Sequence, residues 1–239
     1  MKLYGKRSVM ERVRVNPQTI KRIFVEKGFS DQEIPALARK KKISVEVVDV
    51  RRFYKMTRGL NSQGITADIE DYQYDEIDDY LDVADKDKPV LVFLDGLTDP
   101  QNLGSIIRTL ACVGGFCVVL PRRDSAGITE AVLRVANGGE NYVPIIQVVN
   151  LSNTLQKVKS RGYLIGTTTM DSGKNPRHTL LKFPFGIILG SEGSGIRPIL
   201  EKYVDYKLTI PMKGSKLSYN VAIATAILSY EIACQRDSV

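Results

Sequence analysis

The chain of 239 residues has a single histidine, His178, and no tryptophan. One imidazole, set in the polar stretch SGKNPRHT, does not readily build a histidine-based catalytic triad or a His-rich metal site, so many hydrolase readings fall away. We read His178 as a solvated loop residue and expect no metal. Cysteine is equally scarce. Cys112, Cys117 and Cys234 are odd in number and match no C-x-x-C pair, so all three are read as small buried hydrophobes in a reducing, cytoplasmic setting. No apolar run approaches the roughly 20 residues a membrane-spanning helix needs. The opening MKLYGKRSVMERVRVNPQ is basic but lacks the apolar h-region of a secretory signal. An Arg-rich transit peptide is not expected either, because the segment runs directly into domain-like pattern.

What is present is enough for a core: 43% of residues are hydrophobic, outside the range of disordered chains. The length suits one large domain, or a small one plus a medium one. The net charge of +7 is unevenly placed. Residues 1–60 hold 16 Lys/Arg and 6 Asp/Glu, a balance of +10, whereas residues 68–88 hold 2 and 10, a balance of −8. A basic block is what a polyanion partner would select, although a solvated Lys-rich surface looks the same from charge alone.

Residues 1–67 read as a small α/β module. IKRIFV (Ile20–Val25) and VEVVDV (Val45–Val50) are β-branched strand runs, and Ser30 before DQEIPALARKKK reads as a helix cap. The acidic tract DIEDYQYDEIDDYLDVADKDK, residues 68–88, is read as the end of a strand and a helical or extended linker. From Pro89 strand and helix alternate. The expected strands are Val90–Leu94, Phe116–Leu120, Val143–Val148, Tyr163–Thr167, Phe185–Leu189 and Tyr206–Ile210, with helices such as Gly104–Val113 and Ile128–Ala136 between most of them. Continuous apolar strands separated by helices predict a parallel sheet covered on both faces over residues 89–239. A last helix, about Asn220–Cys234, carries Val221, Ala224, Leu228 and Ile232 at core spacing.

Three motifs stand out. In DGLTDPQNLGSIIRTLACVGG (residues 95–115) a strand ends at Asp95 and a helix begins near Asn102-Leu103-Gly104; Arg108 lies one turn beyond Gly104 on the same side. In GIILGSEGSGI (residues 186–196) glycines at a strand's carboxyl end allow backbone to approach a ligand. This is neither a dinucleotide fingerprint nor a phosphate loop with its lysine. Glu192 in its middle would repel phosphate, which points to a ligand with cationic or hydrogen-donor character. In IPMKGSKLSYN (residues 210–220) Ser218 reads as an N-cap, with Tyr219 and Asn220 opening the last helix. Each motif alone can be ordinary turn and capping chemistry.

In this order, N-x-G-x-x-x-R-T, L-G-S-E-G-S-G and I-P-M-x-G-x-x-x-S-x-N, the motifs resemble the SpoU branch of the SPOUT methyltransferases across residues 89–235. More weakly, LYGKRSVMERVR and SQGITADI resemble the substrate-binding module of the family's rRNA guanosine methylases. The resemblance implies a C-terminal α/β domain with a trefoil knot, an exception to unknotted topology, and a homodimer with a shared active site. It implies S-adenosylmethionine as cofactor, held by Gly190, Ile210 and Tyr219 with Leu189, Met212 and Ser218 adjacent. Asn102, Arg108, Glu192, Ser218 and Asn220 match the family's active-site polar residues. The implied reaction is methyl transfer to a ribose 2′-oxygen of RNA, a guanosine of 23S rRNA foremost. The family account makes Arg108 the base; a guanidinium is very hard to deprotonate, so holding a phosphate and stabilising negative charge on the 2′-oxygen suits it better.

The chain departs from the family pattern at Tyr219, Ala222 and Lys216, where Leu, Ser and an apolar residue are common, and at Ser62, where His is common. A tRNA guanosine-18 or resistance-type rRNA methylase of the same family remains an alternative, as does a non-catalytic RNA-binding protein. A nucleotide-dependent oxidoreductase lacks its glycine fingerprint. Expected phosphate contacts in the first module are Lys6, Arg7, Arg12, Arg39, Lys40, Lys41 and Arg58.

Overall fold

In the computed structural model, which describes residues 1–84, 88–191, 195–215 and 217–237, the chain builds two separate sheets. The first arises from β1 (Lys2–Tyr4), α1 (Lys6–Val15), β2 (Ile20–Glu26), α2 (Glu33–Lys40), β3 (Val45–Val48), α3 (Val50–Thr57) and β4 (Ile65–Ile69). Its strand order is β1-β4-β2-β3, with only the β2–β3 pair parallel. Val9, Val13, Ile23, Ile34, Ala38, Ile65 and Ala67 are buried between sheet and helices.

Local chemistry places the element ends differently from the motif reading in two places. Asp31, not Ser30, receives the first amides of α2, from Glu33 (3.0 Å) and Ile34 (3.5 Å). The β3 run stops at Val48 because Asp49 turns the chain, its carboxylate accepting the Arg52 amide at 3.0 Å to cap α3.

Beyond β4 the acidic tract remains extended and then makes α4 (Asp78–Leu81). Asp75 lies along the edge of the second sheet: its amide donates to the Ile145 carbonyl (3.0 Å) and its carboxylate accepts the Ile145 amide (3.1 Å). One residue thus pairs both backbone polar groups of Ile145 at this edge.

The second sheet is wholly parallel, in the order β10-β8-β9-β5-β6-β7. Its strands are β5 (Val90–Asp95), β6 (Phe116–Pro121), β7 (Ile145–Val148), β8 (Leu164–Thr168), β9 (Phe185–Gly190) and β10 (Tyr206–Leu208). Every residue of β5 and β6 is buried, as a sheet covered on both faces requires. The helices are α5 (Pro100–Val113), α6 (Glu130–Ala136), α7 (Leu151–Ser160), α8 (Pro198–Glu201) and α9 (Val221–Arg236). The chain winds from β5 outward to β7, then returns on the other side through β8 and β9. That reversal places a crevice at the carboxyl ends of β5 and β9, where Asp95 pairs with Gly190.

Two further expectations need correction. α5 begins two residues before Asn102, capped by Asp99 onto the Gln101 amide (2.9 Å), with Pro100 at the first helical position. Only Cys117, on β6, is buried, and burial pushes its thiol well up; Cys112 and Cys234 sit on exposed positions of α5 and α9. Among the described residues, no helix is long and apolar enough to cross a membrane, and no group of metal-ligating side chains occurs.

The two units are packed together. Arg12 of α1 reaches Glu140, in the short turn Gly139–Asn141, at 3.1 Å, with both side chains buried. Around this pair, Tyr4 donates to Glu130 (3.2 Å), Asn16 to Asn141 (3.0 Å) and Tyr142 to Glu11 (2.5 Å). Arg12 is therefore committed inside the protein and unavailable for phosphate contact, unlike the exposed Arg7, Arg39, Lys40, Lys41 and Arg58.

Candidate active site

Three chain segments meet at the sheet's carboxyl edge. The end of β9 brings Leu189 and Gly190, the end of β8 brings Thr168, followed by Thr169 and Met170, and the loop after β10 brings Ile210, Met212, Ser218 and Tyr219. With Ser191, Gly195, Val221 and Ala224 they line one pocket. All six residues assigned to the cofactor by motif thus share a wall. Ala224 lines this pocket half-buried, where helical spacing had suggested core; Val221, Leu228 and Ile232 are buried as expected.

Gly190 is required by backbone packing. A Cβ there would collide with the Gly195 carbonyl and come within 2.5 Å of the Ile196 amide nitrogen. Gly195 and Ile196 therefore lie directly on the end of β9 because no side chain intervenes. A second restraint holds the same loop: buried Asp95 accepts the Arg197 amide (2.8 Å) and its Nε (2.7 Å). Between these ties, Glu192 lies outside the described residues, as does Lys216 in the third motif.

The first and third motifs meet through side chains. Asn220 Nδ2 donates to Asn102 Oδ1 at 2.9 Å, while Asn220 Oδ1 accepts the Ala222 amide at 2.9 Å and caps α9. Asn220 is thus the N-cap in place of Ser218, which stays two residues upstream in the pocket wall. Of the departing positions, Tyr219 lines the pocket, whereas Ala222 and Ser62 are buried.

Arg108 is placed elsewhere. It lies on the exposed side of α5, outside the pocket that holds Gly190, and lines a groove with Arg7, Glu11, Gly138, Gly139 and Tyr142. Among the described residues it has no acidic partner, so its charge faces outward. The motif reading missed Asp95, Arg197 and the Thr168–Met170 segment. Asp95 had a usable signal, an acid at the carboxyl end of an apolar strand. Thr168–Met170 had none, because only the sheet order makes β8 a neighbour of β9.

A model of the SpoU rRNA Methylase family matches residues 89–230, and a model for RNA 2′-O ribose methyltransferase substrate binding matches residues 2–75. The chain is 34% identical over 243 residues to the 23S rRNA (guanosine-2′-O-)-methyltransferase RlmB of Pseudomonas syringae pv. tomato, covering 99% of this chain and 96% of that protein. It is 40% identical over 194 residues to an uncharacterized tRNA/rRNA methyltransferase of Synechocystis sp., covering 80% of this chain but spanning half of that longer protein. The crystal structure of the SpoU methyltransferase AviRb from Streptomyces viridochromogenes in complex with AdoMet has the same fold, with TM-score 0.83, 20% identity and coverage of 100% of this chain and 91% of that one.

Proposed function

The chain belongs to the SpoU rRNA methylase family and is an RNA 2′-O-methyltransferase that uses S-adenosylmethionine, and we propose that its target is a guanosine of 23S rRNA. The observation that carries the reading is the joining of all three motifs at one crevice, with Asn220 bound to Asn102 beside the pocket of Gly190 and Tyr219. The likeness to RlmB across nearly the whole chain, including the N-terminal module, favours large-subunit rRNA over tRNA.

The pocket suits the cofactor. Leu189, Ile210, Met212 and Val221 offer apolar surface for a purine, and the hydroxyls of Thr168, Thr169, Ser191 and Ser218 offer polar partners. When bound, S-adenosylmethionine supplies an electrophilic methyl on sulfonium. The chain's own residues supply orientation. Asn102 and Asn220, fixed to each other, set the ribose, with Ser218 completing the polar surround. Arg108, outside its own chain's pocket, belongs to the active site shared in the proposed homodimer, where it holds a substrate phosphate and stabilises charge developing on the 2′-oxygen.

The same reading includes the trefoil path of the C-terminal chain, a cytoplasmic location and a homodimer. Ile223, Ile227 and Tyr230 stand 52%, 38% and 68% exposed at helical spacing on the outer face of α9, a stripe suited to a second copy. Residues 1–67 serve as the RNA reader, 68–88 as the connection and 89–239 as the transferase.

The test is chemical. A ribose 2′-oxygen must be free for alkali to cleave the adjacent phosphodiester. Incubating the protein with S-adenosylmethionine and unmodified 23S rRNA transcript should yield one alkali-resistant dinucleotide beginning with guanosine. Methyl incorporation without alkali resistance would overturn 2′-O transfer.

A further inference from the structure

Arg108 faces a groove whose opposite bank belongs to the N-terminal module. Two consecutive glycines make this closeness possible. A Cβ on Gly138 would lie 2.7 Å from Glu11 Cβ of α1, and one on Gly139 would lie 3.0 Å from the Arg108 Cα of α5. Only a Gly-Gly thickness of backbone separates the two helices here, and Gly138 has φ +94°, a conformation side chains disfavour.

The surfaces exposed along the groove are chemically specific. Arg7, on α1, is 74% exposed and lies on the opposite bank from Arg108. Tyr142 is half-exposed, with its ring at the groove and its hydroxyl bound to Glu11 at 2.5 Å. That acid does not repel an incoming anion strongly, because Tyr142, Arg7 (3.8 Å) and Arg14 (3.4 Å) already engage it. Two outward cations flanking a fixed aromatic ring match a single-stranded polynucleotide, whose backbone follows positive charge while its bases stack on π-faces.

Resting on the proposed reaction, we infer that this groove seats the RNA strand next to the target nucleotide: Arg7 binds the phosphate neighbouring the one at Arg108, and Tyr142 stacks a flanking base. Arg7 and Tyr142 are positioning residues. The N-terminal module thereby acts within a nucleotide or so of the reaction, besides capturing RNA at a distance.

The test uses the full chain and unmodified 23S rRNA transcript. Arg7→Ala should weaken equilibrium RNA binding about tenfold and flatten its salt dependence by roughly one unit of slope. Tyr142→Ala should weaken binding by a similar factor, about tenfold, whereas Tyr142→Phe, which keeps the ring and loses the Glu11 bond, should bind like the parent. In methylation assays the loss should appear in KM for RNA, with kcat and S-adenosylmethionine affinity unchanged. Unaltered RNA affinity and salt slope in Arg7→Ala and Tyr142→Ala would overturn the groove. So would a Tyr142→Phe as defective as Tyr142→Ala, which would reduce Tyr142 to a tie for Glu11. A parent protein that binds the transcript but never methylates it would instead overturn the proposed reaction, and the binding series would still decide the groove.

Discussion

The side-chain amide of Asn220 donates to the side-chain oxygen of Asn102 at 2.9 Å, across 118 residues of chain. The same Asn220 caps α9, so one residue both starts the last helix and anchors the first motif. These roles can be separated. Asn220→Ser should retain the cap, leaving stability within about 0.5 kcal/mol, but be too short to reach Asn102. Asn220→Ala should lose both and cost about 1 kcal/mol. Methyl transfer should fall at least about tenfold in each variant, measured beside thermal unfolding. Full activity in Asn220→Ser would show that the contact to Asn102 has no part in the reaction.

Gly190→Val should abolish S-adenosylmethionine binding by titration calorimetry. Its side chain would occupy the space of the Gly195 carbonyl and push Gly195 and Ile196 off the end of β9. Undiminished binding would place the cofactor elsewhere.

Arg108→Ala should lower transfer by about 10²–10³ with cofactor affinity nearly intact, because Arg108 lies outside the cofactor pocket and faces the groove. Near-parental turnover at saturating RNA would remove it from the reaction.

Glu140 gives a pH signature for the junction between the two units. Burial raises its carboxyl above the ordinary range, although Arg12 pulls the other way. The folded protein therefore binds this proton more readily than the unfolded chain does. Its contribution is fully present below the ordinary carboxylate value and is lost as pH rises through the folded value. Denaturant unfolding of parent and Glu140→Gln should show the difference in stability shifting in the parent's favour as pH falls from about 7 towards 4. A pH-independent difference would contradict the raised carboxyl.

Much of this arrangement is legible in the residues. Apolar runs such as Val90–Leu94 and Phe185–Leu189 specify parallel strands because both faces are covered, and motif order assembled the pocket wall. Helix starts were less legible where several capping residues stand together: Ser30 lost to Asp31, and Ser218 to Asn220. Arg12 reads as a surface cation until Glu140, 128 residues away, is seen to hold it. The groove of Arg7, Tyr142 and Arg108 has no local signature, since it exists only where two units dock.

The central claim, methylation of one guanosine ribose in 23S rRNA, is tested most directly by mapping 2′-O-methyl positions in total RNA from cells with and without the gene. The account predicts that one 23S guanosine loses its methyl when the gene is deleted and regains it with the parent gene but not with Arg108→Ala. An unchanged 23S map, or loss of a methyl from tRNA instead, would contradict it.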